Sequence, residues 1–138
     1  MTTLFGQEHV DRYRATDGVE GHDWRNGTST LLLTTRGRKS GKEYTTPLIY
    51  TLDGDSAVVV ASQGGTPDNP DWYLNLVANP HVNVQIKGDK FHAHPHTAQG
   101  EERERLWKQM AEVWPDYDEY QKKTDREIPV VVLERAHH

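Results

Sequence analysis

"STLLLTTRGRKSGKEYTTPLIYTLDGDSAVVVAS", residues 29–62, holds three β-rich runs and two turns. Ser29 to Thr35 and Tyr44 to Leu52 are built from Thr, Leu, Ile and Tyr, side chains that suit a pleated, partly buried surface. Between them "RGRKSGKE" carries the glycines and polar residues of a hairpin loop. Asp53-Gly54 marks a second turn into "SAVVVAS", so the stretch predicts a meander of three antiparallel strands.

Working toward the C-terminus, "QGGTPDNP" (63–70) has two glycines and two prolines in eight residues and predicts an exposed, shaped loop. "DWYLNLVANP" follows with an early acid, helical apolar spacing and an Asn-Pro stop, a two-turn helix. "HVNVQIKG" and "KFHAHPHTA" alternate as half-buried strands joined at Gly88-Asp89. From Gly100 the period becomes helical, with Glu101, Glu102 and Glu104 in the first turn and Leu106, Trp107, Met110, Val113 and Trp114 as an apolar stripe. Pro115 interrupts it, "DYDEYQKKTD" resumes as a short helix, and "IPVVVLE" closes as a strand. Toward the N-terminus, Leu4 to about Ala15 predicts a short amphipathic helix, followed by the irregular "TDGVEGHDWRNG". Residues 1–28 thus read as a helical arm and connection, and 29–138 as the domain proper. The order lacks βαβ alternation and predicts a mainly β fold, an antiparallel barrel with covering α-helices.

The chain has 138 residues, 34% of them apolar, a net charge of -5 and no cysteine. That excludes disulfides and thiolate chemistry, and with a pI near 5.9 argues against general nucleic-acid binding. No stretch has the length of a membrane span, peripheral membrane contact has no support, and a cytoplasmic protein, monomer or homodimer, is expected. The terminal His137 and His138 are set aside as tag-like.

Three clusters carry candidate chemistry. Arg38, Lys39 and Ser40, beside Gly37 and Gly41, combine cations, a hydroxyl and approachable backbone, which suits a phosphate as well as it suits a solubilising hairpin tip. His92, His94 and His96 share one strand face; nothing nearby completes a metal site, and none is predicted. Trp114, Tyr117 and Tyr120 fall at helical spacing, either a flat aromatic pocket wall or ordinary core.

Taken together, "TTRGRKSGKEYTTPL", "VVVASQGGTPDNPDWYLNLVANPHVNVQIKG" and "VWPDYDEYQKKTDREIPVVVLE" resemble the deazaflavin-dependent nitroreductase and quinone reductase family, from about Thr30 to Glu134. Its members use the 8-hydroxy-5-deazaflavin coenzyme F420 on a split β-barrel related to FMN-binding oxidases. The resemblance implies that Arg38, Lys39 and Ser40 hold the cofactor's phosphate. It implies further cofactor contacts from Tyr44, Thr45, Thr46, Pro47, Leu48 and Ile49, and from Val60, Ala61, Ser62 and Gln63. Asp71, Trp72, Tyr73, Leu74 and Asn75 would complete them. Tyr117 matches a tyrosine placed over the deazaflavin as proton donor, with Trp114 and Tyr120 in the substrate pocket. The implied reaction is hydride transfer from reduced F420 to an electron-poor small molecule: a quinone, an activated alkene such as an enone or furanocoumarin, or a nitroaromatic. The alternatives are an FMN-dependent oxidoreductase on the same barrel and a non-catalytic deazaflavin carrier. Gln63, Trp114 and Ile49 depart from residues found in nitroimidazole-activating relatives, so that activity does not carry over.

Overall fold

A computed structural model of the chain describes residues 6–24, 27–65 and 68–136. Leu4 and Phe5 of the expected first helix, Thr66 and Pro67 of the expected loop, and the two terminal histidines lie outside the described residues. Seven strands form one antiparallel sheet: β1 (Thr30–Arg36), β2 (Glu43–Ile49), β3 (Thr51–Asp53), β4 (Ser56–Val60), β5 (Val82–Ile86), β6 (Asp89–Thr97) and β7 (Val130–Arg135). Helices α1 (Gly6–Thr16), α2 (Asp71–Ala78), α3 (Gly100–Val113) and α4 (Asp116–Lys122) accompany it.

The spatial order is β2-β1-β5-β6-β7-β4-β3. Its two end strands, β2 and β3, are separated in sequence by Tyr50 alone, so the sheet must curl until its edges meet. This is the split antiparallel barrel expected from the sequence. One detail differs. The run from Tyr44 to Leu52 is two strands: β2 pairs with β1, β3 pairs with β4, and the bend at Tyr50 hands one half to each edge. Residue types are alike on both sides of the bend, so hydrophobic pattern does not reveal it. The β5–β6 turn also falls one residue earlier than expected, at Lys87-Gly88, because Ile86 already pairs with Asp89.

The apolar runs are continuous because their strands are buried on both faces. Leu31 and Leu33 of β1, Ala57 and Val59 of β4, and Val131 and Leu133 of β7 join one cluster with Trp72 and Leu76 of α2. The alternate residues Val58, Val60, Val130 and Val132 pack against Leu106 and Met110 of α3 and Tyr117 of α4. Leu32 faces Val10 and Tyr13 of α1. Each fully buried aliphatic side chain of this kind contributes about 1.5 to 3 kcal/mol. Helix α1 is further tied down by Tyr13, whose hydroxyl donates to the Thr30 carbonyl at 3.0 Å and accepts from the Lys87 N–H at 2.7 Å. Burial pushes the Tyr13 phenol up to about 12.

Candidate active site

The loop from Gly37 to Lys42 folds back on itself: the Gly37 N–H donates to the Lys42 carbonyl at 2.7 Å, and the Gly41 N–H to the Gly37 carbonyl at 2.9 Å. A Cβ on Gly37 would lie 2.7 Å from the Tyr44 ring and 2.9 Å from Ser40 Oγ, so any larger residue would have to displace these two side chains. Ser40 Oγ stands 3.2 Å from the Tyr44 hydroxyl and accepts from the Lys42 N–H at 3.2 Å. The serine therefore shapes the loop.

Arg38 is aimed by α2. Asp71 and Asn75, four residues apart, share one helix face. Arg38 Nη1 donates to Asn75 Oδ1 at 2.7 Å, its backbone N–H reaches the same oxygen at 3.2 Å, and Nη2 lies 3.4 Å from Asp71 Oδ1. Asn75 is buried, so this guanidinium is held rather than swinging in solvent. Lys39 is exposed and makes no hydrogen bond or ion pair among the described residues. Arg38 thus offers an anion an oriented cation, and Lys39 one that is unengaged among the described residues.

Arg38, Lys39, Ser40, Tyr44, Thr45, Asp71 and Asn75 line a groove of about 660 Å³. Beside it lies a cavity of about 490 Å³ walled by Pro47, Leu48, Ile49, Val60, Ser62, Gln63, Trp114, Tyr117 and Tyr120. Thr46 and Trp72 belong to both, so the cationic loop opens into the aromatic cavity. Of the residues singled out from the sequence, three lie elsewhere. Ala61 is fully buried in the barrel core, where strand alternation turns it away from Val60 and Ser62. Tyr73 is 3.0 Å from the Thr97 hydroxyl and packs on the core, and Leu74 does not border the cavity.

The aromatic wall is built by the α3–α4 corner. Tyr117 is 5% exposed, its ring 6.3 Å from Trp107 and 6.2 Å from Tyr120, the latter edge-on. Its hydroxyl has no hydrogen bond among the described residues. Burial, with the neighbouring Tyr120 adding to it, pushes its pKa well above the usual phenol range, so it stays protonated and able to donate. Trp114 Nε1 approaches the Tyr120 hydroxyl at 3.5 Å.

Several site residues were not legible from spacing. His9, Trp24, Thr30 and Pro70 line the cavity. Trp24 packs on Trp114 with ring centroids 5.8 Å apart. His22 braces its segment, contacting Asp23 Oδ1 at 2.9 Å and the Tyr50 hydroxyl at 2.8 Å. Arg126 clamps the loop after β4, donating to the carbonyls of Ala61 at 3.2 Å and Ser62 at 2.8 Å and to Asn69 Oδ1 at 2.8 Å. Gly65, at φ +82°, sits against the Tyr120 backbone, where a Cβ would meet the carbonyl oxygen at 2.6 Å. Loop and α4 therefore seat directly on one another.

The histidine strand does not converge on a metal geometry. The His94 ring faces His81 at 6.1 Å, and His96 bridges Glu102 at 3.0 Å and Glu134 at 3.2 Å. Among the described residues no group of three metal-type ligands forms. Nor, among them, is any helix long and apolar enough to cross a membrane.

A family model for F420H(2)-dependent quinone reductase matches residues 5–135, almost the whole chain. The chain belongs to the F420H(2)-dependent quinone reductase family. The F420H(2)-dependent quinone reductase Rv1261c of Mycobacterium tuberculosis is 42% identical over 130 residues, covering 92% of this chain and 87% of that protein. The solved structure of an F420-H2 dependent reductase, FDR-A, is 44% identical with a TM-score of 0.71, covering 76% of this chain and 93% of that one. A solved domain-swapped dimer is 42% identical with a TM-score of 0.74, covering 93% of this chain and 96% of the other. Membership in this reductase family makes the protein an oxidoreductase that uses coenzyme F420.

Proposed function

We propose that the joined groove and cavity form the active site, with F420 held at the cationic loop and its reactive ring and a quinone in the aromatic cavity. The observation that carries this is the continuity of the two spaces through Thr46 and Trp72. The lining fits the group: an anionic portion meets Arg38 and Lys39, and a flat aromatic portion meets Trp72, Pro47, Leu48 and Ile49. When bound, reduced F420 supplies a hydride, two electrons and one proton in a single transfer.

The chain's own residues then do the following. Asp71 and Asn75 aim Arg38 at the anion, and Lys39 adds a second charge. Arg126 fixes the loop from Ala61 to Asn69 that supplies Ser62 and Gln63 to the cavity. Trp24, Trp72, Trp114 and Tyr120 exclude water from the acceptor. Hydride addition to a quinone leaves a phenolate oxygen, and the Tyr117 hydroxyl donates a hydrogen bond to it, an electrostatic role worth about a hundredfold or more. Protonation follows from Tyr117 or from water.

A cytoplasmic location belongs to the same proposal, as does a homodimer, which the similarity to a domain-swapped dimer supports. Enones, furanocoumarins and nitroaromatics are further acceptors to run beside quinones. A fluorescence titration of F420 into wild type and the Arg38→Ala/Lys39→Ala double variant tests the assignment. Weaker binding by the variant is expected, and unchanged affinity would sink the cationic loop as the anchor. A purified protein carrying bound yellow flavin would favour FMN, and tight F420 binding with no acceptor reduction would favour a carrier.

A further inference from the structure

The Tyr117 hydroxyl, given a donor's role above, has no hydrogen bond of its own among the described residues. A phenol oxygen lies on the axis of its ring, so where this one stands in the cavity follows from what holds the ring. Two aromatic side chains pack on it. Tyr120 lines the cavity itself, whereas Trp107 of α3, with its ring 6.3 Å from that of Tyr117, lines neither the cavity nor the cationic groove. Trp107 is thus the brace on the side away from the reacting molecules.

The indole is in turn fixed from two directions. Its Nε1–H donates to the Asp118 carboxylate at 2.7 Å, and the Arg103 guanidinium lies over its ring, 4.9 Å from the centroid. Arg103 stands four residues before Trp107 on the same helix and is anchored through Nη2, which donates to the Ile128 carbonyl at 2.8 Å. Trp107 therefore reaches from α3 to two adjacent residues of α4: its edge binds Asp118 and its ring packs on Tyr117. We infer that Trp107, latched by Asp118, is a positioning residue for Tyr117, setting where the hydroxyl stands in the cavity and hence the rate of the chemical step. This inference rests on the active-site reading above.

The test releases the latch without removing a ring. Asp118 is exposed, and Asp118→Ala takes away the acceptor for the indole N–H, whereas Asp118→Asn keeps an oxygen that can accept it. Single-turnover oxidation of F420H2 by saturating 2-methyl-1,4-naphthoquinone reads the chemical step, and a fluorescence titration reads F420 binding. In Asp118→Ala the rate should fall about fivefold to twentyfold, within the roughly hundredfold given to the hydroxyl itself, with F420 affinity unchanged. Asp118→Asn should restore the rate. In the Tyr117→Phe background Asp118→Ala should change the rate by less than about twofold, because no hydroxyl is left to misplace. A wild-type rate in Asp118→Ala, an equal fall in the Tyr117→Phe background, or no recovery in Asp118→Asn would each overturn the inference. So would a fall in rate matched by a loss of F420 affinity, which would make the latch ordinary packing. A wild-type rate in Tyr117→Phe alone would instead overturn the active-site role of Tyr117 on which the inference rests.

Discussion

Replacing Tyr117 with Phe separates chemistry from architecture. The hydroxyl has no hydrogen bond among the described residues, so its removal strands no donor or acceptor, while the ring contacts with Trp107 and Tyr120, at 6.3 and 6.2 Å, remain. Burying an unpartnered hydroxyl costs about 1 to 3 kcal/mol in mutational series, softened here because the group borders a cavity. Tyr117→Phe should therefore be neutral or up to about 1 kcal/mol more stable, which in a domain of this size raises Tm by about 3 to 6 °C at most. Turnover responds differently. Losing a donor to the developing phenolate costs about 2.7 kcal/mol or more, a hundredfold in kcat, with F420 affinity unchanged. Thermal unfolding, an F420 titration and the oxidation rate of F420H2 with 2-methyl-1,4-naphthoquinone read the three quantities. A variant that turns over within twofold of wild type would refute the role given to Tyr117, as would one that loses activity only by unfolding.

Other outcomes follow from the same contacts. Lys39→Ala, which breaks no bond among the described residues, should weaken F420 binding about tenfold with unchanged Tm, and added salt should shrink that difference; equal titration curves would contradict this. Arg126→Ala leaves the Ala61 and Ser62 carbonyls without their cation and should cost about 2 to 4 kcal/mol in chemical denaturation while loosening F420 binding, whereas wild-type values for both would refute the clamp. Gly65→Ala must hold φ +82° with its Cβ 2.6 Å from the Tyr120 carbonyl oxygen, and should lose about 2 to 5 kcal/mol by the same measurement, so a Tm within a degree of wild type would contradict the loop–α4 seat. The phenols of Tyr13 and Tyr117 are both raised by burial, so the folded protein favours their neutral forms. Their stabilisation is complete below the ordinary tyrosine range near 10 and is lost as pH rises, for Tyr13 through about 12. Denaturation series should show stability falling above about pH 10, less steeply in Tyr117→Phe; parallel curves would contradict the shift.

Much of the barrel was legible because its strands are local and strongly patterned: Ser29 to Thr35, Ser56 to Ser62 and Ile128 to Glu134 each announce a strand, and Asp71 to Asn79 a helix. The closure was not legible, because it depends on a bend at Tyr50 between two equally β-prone halves. At the site, Arg38 and Lys39 stood out by charge, yet only the fold shows that Arg38 is already aimed by Asp71 and Asn75 while Lys39 is unengaged among the described residues. Ala61, Tyr73 and Leu74 belong to segments that line the groove or the cavity but do not border either space themselves, since neighbours on a strand or helix face different directions. His9, Trp24 and Arg126 come from weakly patterned or distant stretches. Nothing in their local sequence signals that folding brings His9 and Trp24 to the cavity wall and Arg126 to the loop that borders it.

The reaction proposed for this chain, a member of the F420H(2)-dependent quinone reductase family, is hydride transfer from reduced F420 to a quinone. It is tested most directly by mixing the protein anaerobically with F420H2 and 2-methyl-1,4-naphthoquinone, and following oxidised F420 together with quinol. The predicted result is protein-dependent formation of one quinol per F420H2 consumed, with neither reduced FMN nor NADPH replacing F420H2. A rate no faster than the protein-free mixture, or one sustained only by reduced FMN or NADPH, would contradict it.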